Sequence, residues 1–189
     1  MTGALIRGTV LGGVVLFAWS MLSWTVLGLH TSSLLRFTDE TAVAQAIVDN
    51  APQAGVYTIP AEVTKAVGMS DEQFKAAQMV TQDRMKRGPE LFAAVRLGGV
   101  GSMTPYIVIQ VLTQFLTAFL VTLLLCNSKA HSYWGRVAFV VCIALAGGVA
   151  CILPEWNWWS FSTAYTASAF ADLLAGWFLA GLLLARFAK

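Results

Sequence analysis

Residues 160–185 read SFSTAYTASAFADLLAGWFLAGLLLA, an apolar run with one carboxylate, Asp172, near its middle. Every fourth residue through it is Ala164, Ser168, Asp172, Gly176 and Ala180. Side chains four apart share one face of an α-helix, so the run carries a stripe of small residues with a single acid at its centre. In lipid, small residues let another helix backbone approach closely. An ionisable group at that depth turns toward protein or a wet cavity, not toward acyl chains. The stretch therefore predicts a membrane helix over 160–186 that packs through this stripe.

Three further runs repeat the pattern at 8–29, 105–126 and 137–153, and the last is extended at the interface by Tyr133 and Trp134. A bilayer core of about 30 Å needs roughly 20 apolar residues in helix, with a usual range of about 17–25. Composition agrees: of 189 residues, 57% are apolar and only 12% charged, against about 25% charged in soluble domains. The first run has 22 uncharged residues, longer than the typical signal-peptide core of about 7–15. With Trp19 and Trp24 inside it and no Ala-x-Ala site after it, it reads as a retained helix. Gly8 and Gly12, joined by Gly13, form a small-residue patch suited to close helix packing.

Between the first two runs, residues 30–104 hold eight of the ten acids and seven basic residues. This is a water-exposed insert with its own pattern. Thr38-Asp39-Glu40 opens a short helix that ends at Asn50-Ala51-Pro52, and Ser70-Asp71-Glu72-Gln73 is a capping box opening a second. Val56–Ile59 and Leu91–Leu97 suit a two-stranded sheet, which alone is marginal in water. The expected fold is thus an all-α membrane protein of four transmembrane helices, with a small α+β extracytoplasmic insert between helices one and two.

Basic residues in short loops set orientation. Arg7, Lys129, Arg136, Arg186 and Lys189 fall on one side of a four-pass chain, whereas the opposite loop, 154–160, has one acid and no base. Both termini are therefore expected in the cytoplasm and 30–104 outside, periplasmic in a Gram-negative cell. Pro154 is expected to end the third helix. Trp156, Trp158 and Trp159 then form an interfacial aromatic cluster in a tight turn, since indoles settle at the headgroup level.

Chemistry is sparse. His30 and His131 lie at opposite membrane faces in this topology, roughly 30 Å apart, and cannot share a metal or haem. Cys126, Cys142 and Cys151 sit in or beside apolar runs without a Cys-x-x-Cys pair and read as buried small hydrophobes. Gly98-Gly99-Val100-Gly101 lacks the Gly-Lys-Ser/Thr ending of a phosphate loop. A net charge of +2 without a basic cluster does not suit nucleic acid. No cofactor and no enzymatic activity are expected.

That leaves Asp172, about 18 Å from the outer end of its helix if that helix starts at Ser160. Gln110, Thr113, Gln114 and Thr117 form a polar stripe on the second helix, with Thr117 at matching depth. On the first helix, Ser20 and Trp19 lie about 14 Å deep. The expected intramembrane polar site is Asp172 with Gln114, Thr117, Ser20 and Trp19. Two roles stay open: fixing helix register, or handling a proton or ion.

The order of Trp24-Thr25-Val26-Leu27, His30, Phe37-Thr38-Asp39-Glu40, Gly55-Val56-Tyr57-Thr58-Ile59-Pro60, Trp156-Asn157-Trp158-Trp159 and Asp172 resembles a group of small bacterial membrane proteins. The resemblance implies a bacterial inner membrane and no particular activity. The function expected is a non-enzymatic accessory or scaffold subunit, acting through its insert and helix faces in a homo-oligomer or larger membrane complex. The alternative is a small transporter or proton-conducting element using Asp172.

Overall fold

The computed structural model describes residues 2–187; Lys189, counted above among the cytoplasmic basic residues, lies outside them. The chain is mostly helical and contains four helices long and apolar enough to cross a membrane. They are α1 (Thr2–Met21, extended by a π-turn over Leu22–Val26), α4 (Thr104–Cys126), α5 (Tyr133–Trp158) and α6 (Thr163–Phe187). Between α1 and α4 come α2 (Glu40–Asn50), β1 (Gly55–Ile59), α3 (Asp71–Arg87) and β2 (Leu91–Val95).

Two compact units result. The first holds the chain up to Leu35, Val100–Asn157 and the chain from Phe161; the second holds Arg36–Gly99 with Trp158–Ser160. In the first, glycines set the close approaches. A Cβ built on Gly8 would lie 2.4 Å from Thr122 Cγ2, and one on Gly13 would lie 2.7 Å from Phe115, so α1 and α4 touch almost backbone to side chain. Gly176 likewise admits the Trp19 ring, 2.8 Å from its virtual Cβ. Gly8, Gly12 and Gly13 of α1 and Gly176 and Ala180 of α6 are thus buried inside this unit, whereas Ala164 at the start of the α6 stripe is exposed.

The half of this unit on the Arg7 side of Asp172 is mainly apolar. Leu16, Ala118 and Ala180 form one buried layer, and Val121, Leu125, Val140 and Leu184 the next. At the same end α5 is tied to α6: Tyr133 Oη donates to the Leu182 carbonyl at 2.9 Å, and Arg136 Nη1 to the Ala185 carbonyl at 3.0 Å. Arg136 thereby satisfies a carbonyl at a helix C-terminus, where a cation is favoured.

Helix bounds differ from the apolar runs for physical reasons. α1 begins at Thr2 and includes Arg7. α5 continues through Pro154 to Trp158. Pro154 lacks the N–H that would bond the carbonyl four residues back, and its ring crowds that carbonyl, yet the helix runs one more turn beyond it. α6 starts at Thr163, because Ser160 sits at φ 57° and turns the chain first.

In the second unit the caps follow the sequence. Asp39, one residue later than Thr38, caps α2 by accepting from the Ala42 N–H, and Ser70 and Gln73 complete a capping box on α3. β1 and β2 pair antiparallel, with Tyr57 opposite Ala93. Phe92 packs on Trp159 at 4.6 Å between ring centres, and Ser160 Oγ donates to Glu90. Among residues 36–99 only Ala51 is buried.

Candidate functional site

The site is built where α1 ends and α6 has run nine residues, about 14 Å, from Thr163. Trp19 Nε1 donates to Asp172 Oδ1 at 2.8 Å and also lies 3.1 Å from the Asp172 carbonyl. One indole thus holds both the side chain and the backbone of the acid. It can do so because Gly176, four residues on, leaves the ring a seat.

The carboxylate's other oxygen faces a residue from beyond the helix. His30 Nε2 is 3.3 Å from Asp172 Oδ2, within ion-pair reach when the imidazole is doubly protonated but off the line of a hydrogen bond. His30 is 3% exposed. Trp24 covers it, its ring stacked at 4.0 Å and 10° on the imidazole. Trp24 is itself 49% exposed, so it is the wall between His30 and the surroundings.

Local chemistry explains how His30 returns to the bundle. The π-turn closes through the Leu27 N–H to the Leu22 carbonyl, and Thr25 Oγ1 donates to the Met21 carbonyl. Gly28 follows at φ +58°, a conformation that suits glycine and reverses the chain. Thr31 and Ser33 then hydrogen-bond the Gly28 and His30 carbonyls, fixing a short 3-10 turn. Single-turn π segments inside helices often accompany functional sites.

Of the expected residues, the structure joins Trp19 to Asp172 and leaves the others apart. Thr117 donates to the carbonyls of Thr113 and Gln114 on its own helix. Among the described residues, neither Gln114 nor Ser20 hydrogen-bonds to Asp172. Sequence reading missed His30, because the water-exposed insert was taken to begin there. The available signal was a lone deep acid beside a histidine only one turn past a helix end. The unpaired buried polar atoms concentrate nearby in the chain: Ser23 Oγ, one turn beyond Trp19 on the same face, and both His30 nitrogens find no hydrogen-bond partner.

Trp156 and Trp158 lie in the last turn of α5, and Trp159 follows it. Trp156 Nε1 donates to Thr163 Oγ1 at 3.2 Å, Trp159 packs on Phe92, and Trp158 stays exposed. Among the described residues no three His, Cys, Asp or Glu side chains converge as a metal set.

Trp24 makes a direct test possible. Removing its ring in Trp24→Ala should uncover the imidazole, so diethyl pyrocarbonate should modify His30 at least several-fold faster than in the parent chain. An unchanged rate would mean that something other than Trp24 shields it. Comparison with protein-family models, curated proteins and solved structures finds no match to this chain.

Proposed function

We propose that the chain is a four-pass protein of the bacterial inner membrane, with both termini cytoplasmic and residues 30–104 periplasmic. In this reading it acts as a non-enzymatic accessory or scaffold subunit. The observation that carries it is the second unit's surface. Val48, Val56, Ile59, Met79 and Met85 are all at least half exposed, and Ala51 is the only buried residue of that segment. Exposed apolar side chains on a unit with so little core suit a protein partner that completes it. The Asp172–Trp19–His30 contact then locks the end of α1 to α6 and holds the start of the insert in place.

The alternative, a small transporter or proton-conducting element, draws on the placement of His30 beside Asp172, two exchangeable groups in contact. Reconstituted vesicles with a pH-sensitive dye separate the two. The scaffold reading expects no proton flux from either the parent chain or Asp172→Asn, and a constant partner recovered with the parent chain in mild detergent. Flux in the parent chain that Asp172→Asn abolishes would overturn it.

A further inference from the structure

We propose that the seam between α1 and α6, near their Arg7 and Arg186 ends, binds an anionic phospholipid, with an acyl chain in an apolar groove and the phosphate on Arg186. The inference rests on the membrane-spanning reading above and adds a ligand to it. The groove holds about 340 Å³ and is lined by Val15 of α1 and by Leu179, Leu182, Leu183 and Arg186 of α6. The four α6 residues recur at i, i+3, i+4 and i+7, so they share one helix face. Beside that face, Ala180 and Leu184 turn into the core and are at most 1% exposed. Leu179 to Arg186 spans about 10 Å along the helix. That length fits within one leaflet, half of a hydrocarbon core of about 30 Å.

At this depth an apolar wall meets acyl chains, and charge selects the headgroup. Arg186 is exposed, and among the described residues no acid pairs with it. Eight of the ten acids lie in residues 30–104. The others are Glu155, at the far end of α5, and Asp172, about 21 Å up α6 from Arg186. Arg136 adds a second positive charge to this corner, since it donates to the carbonyls of Ala130, His131 and Ala185 and meets no carboxylate there.

A guanidinium offers a phosphate two parallel N–H bonds. Basic pockets between membrane helices on the cytoplasmic side suit anionic headgroups, and the orientation proposed above gives Arg186 to that side. An arginine that only snorkels to the interface would accept any headgroup. The groove beside Arg186 makes the difference, because a seated acyl chain fixes the phosphate next to the guanidinium. A choline lipid then brings its ammonium against Arg186 and Arg136, which repel it, whereas a glycerol headgroup brings no such charge.

The test is native mass spectrometry of the full chain, purified in mild detergent and given equal amounts of dioleoyl phosphatidylglycerol and dioleoyl phosphatidylcholine. The parent chain should retain one lipid and prefer phosphatidylglycerol about fivefold. Arg186→Gln should abolish the preference and Arg186→Lys should keep most of it. Lys75→Gln, which removes the same charge from α3, should leave it unchanged. Leu183→Trp fills the groove without altering charge and should remove the retained lipid. No preference in the parent chain, an unchanged preference in Arg186→Gln, a lost one in Lys75→Gln or a lipid kept by Leu183→Trp would each overturn the proposal. So would a lipid-free dimer, in which a second copy fills the seam, or displacement of the lipid by glycerol 3-phosphate, which has the anion but no chain. This readout needs neither a protein partner nor proton flux, so it stands or falls apart from the scaffold reading. A chain that alkaline carbonate strips from the membrane would sink the membrane reading as well.

Discussion

Asp172→Leu is expected to destabilise the folded bundle by about 1–2 kcal/mol, measured by SDS titration from mild-detergent micelles. The substitution keeps the branched skeleton but replaces both oxygens with methyl groups. The Trp19 N–H then keeps only the residue-172 carbonyl at 3.1 Å, and His30 Nε2 loses the carboxylate oxygen 3.3 Å away. Measured interhelical hydrogen bonds in a membrane bundle average about 0.6 kcal/mol and reach about 1.7. Loss of one hydrogen bond and one close polar contact from the carboxylate places the effect at about 1–2 kcal/mol. Asp172→Asn retains an oxygen for Trp19 Nε1 and should lose less than about 1 kcal/mol. Equal stability of the leucine variant and the parent would show that the acid does not join α1 to α6.

Gly8→Ala should be comparably damaging, for the opposite reason. Its new methyl would sit 2.4 Å from Thr122 Cγ2 and 2.7 Å from Thr122 Oγ1. Thr122 is 1% exposed and β-branched, so it has little freedom to move aside. Overpacking of this kind costs about 1–3 kcal/mol. Thr122→Ala removes both clashing atoms, and its hydroxyl finds no partner where it is. The double variant should therefore recover most of the loss, a favourable coupling of about 0.5–3 kcal/mol. Additive losses in the double variant would mean that α1 and α4 do not meet at these two residues.

Much of the architecture is readable from residue order. Apolar runs and their lengths locate all four long helices, because hydropathy is a local property summed over about 20 residues. Caps are equally local: Ser70 and Gln73 can satisfy each other whatever surrounds them, and they do. The stripe on α6 indicates the face that meets α1, since only Gly176 and Ala180 allow Trp19 and Leu16 so near. Trp19 could be named as a partner of Asp172 because an indole N–H deep in a bundle must donate somewhere.

His30 could not be recognised in the same way. Its burial depends on a π-turn at Leu22–Val26 and a reversal at Gly28, and both arise from hydrogen bonds that no hydrophobic period encodes. Polarity pointed outward, toward the acid-rich insert, whereas the fold turns the imidazole inward. Gln114, Thr117 and Ser20 were expected at the acid from depth alone. Depth does not fix the rotation of a helix about its axis or how far two helices diverge, and on α4 the threonine hydroxyls close locally. Pro154 was similarly over-read, because one missing N–H interrupts a helix only when nothing beyond it can keep bonding.

The most direct test of the membrane arrangement is cysteine labelling in intact cells with a membrane-impermeant maleimide, on the chain with its three native cysteines replaced by alanine. Gln45→Cys, Gln78→Cys and Asn157→Cys should label in intact cells, and Lys129→Cys only after permeabilisation. Labelling at 129 in intact cells, with 45 and 78 protected until the membrane is opened, would contradict the proposed topology.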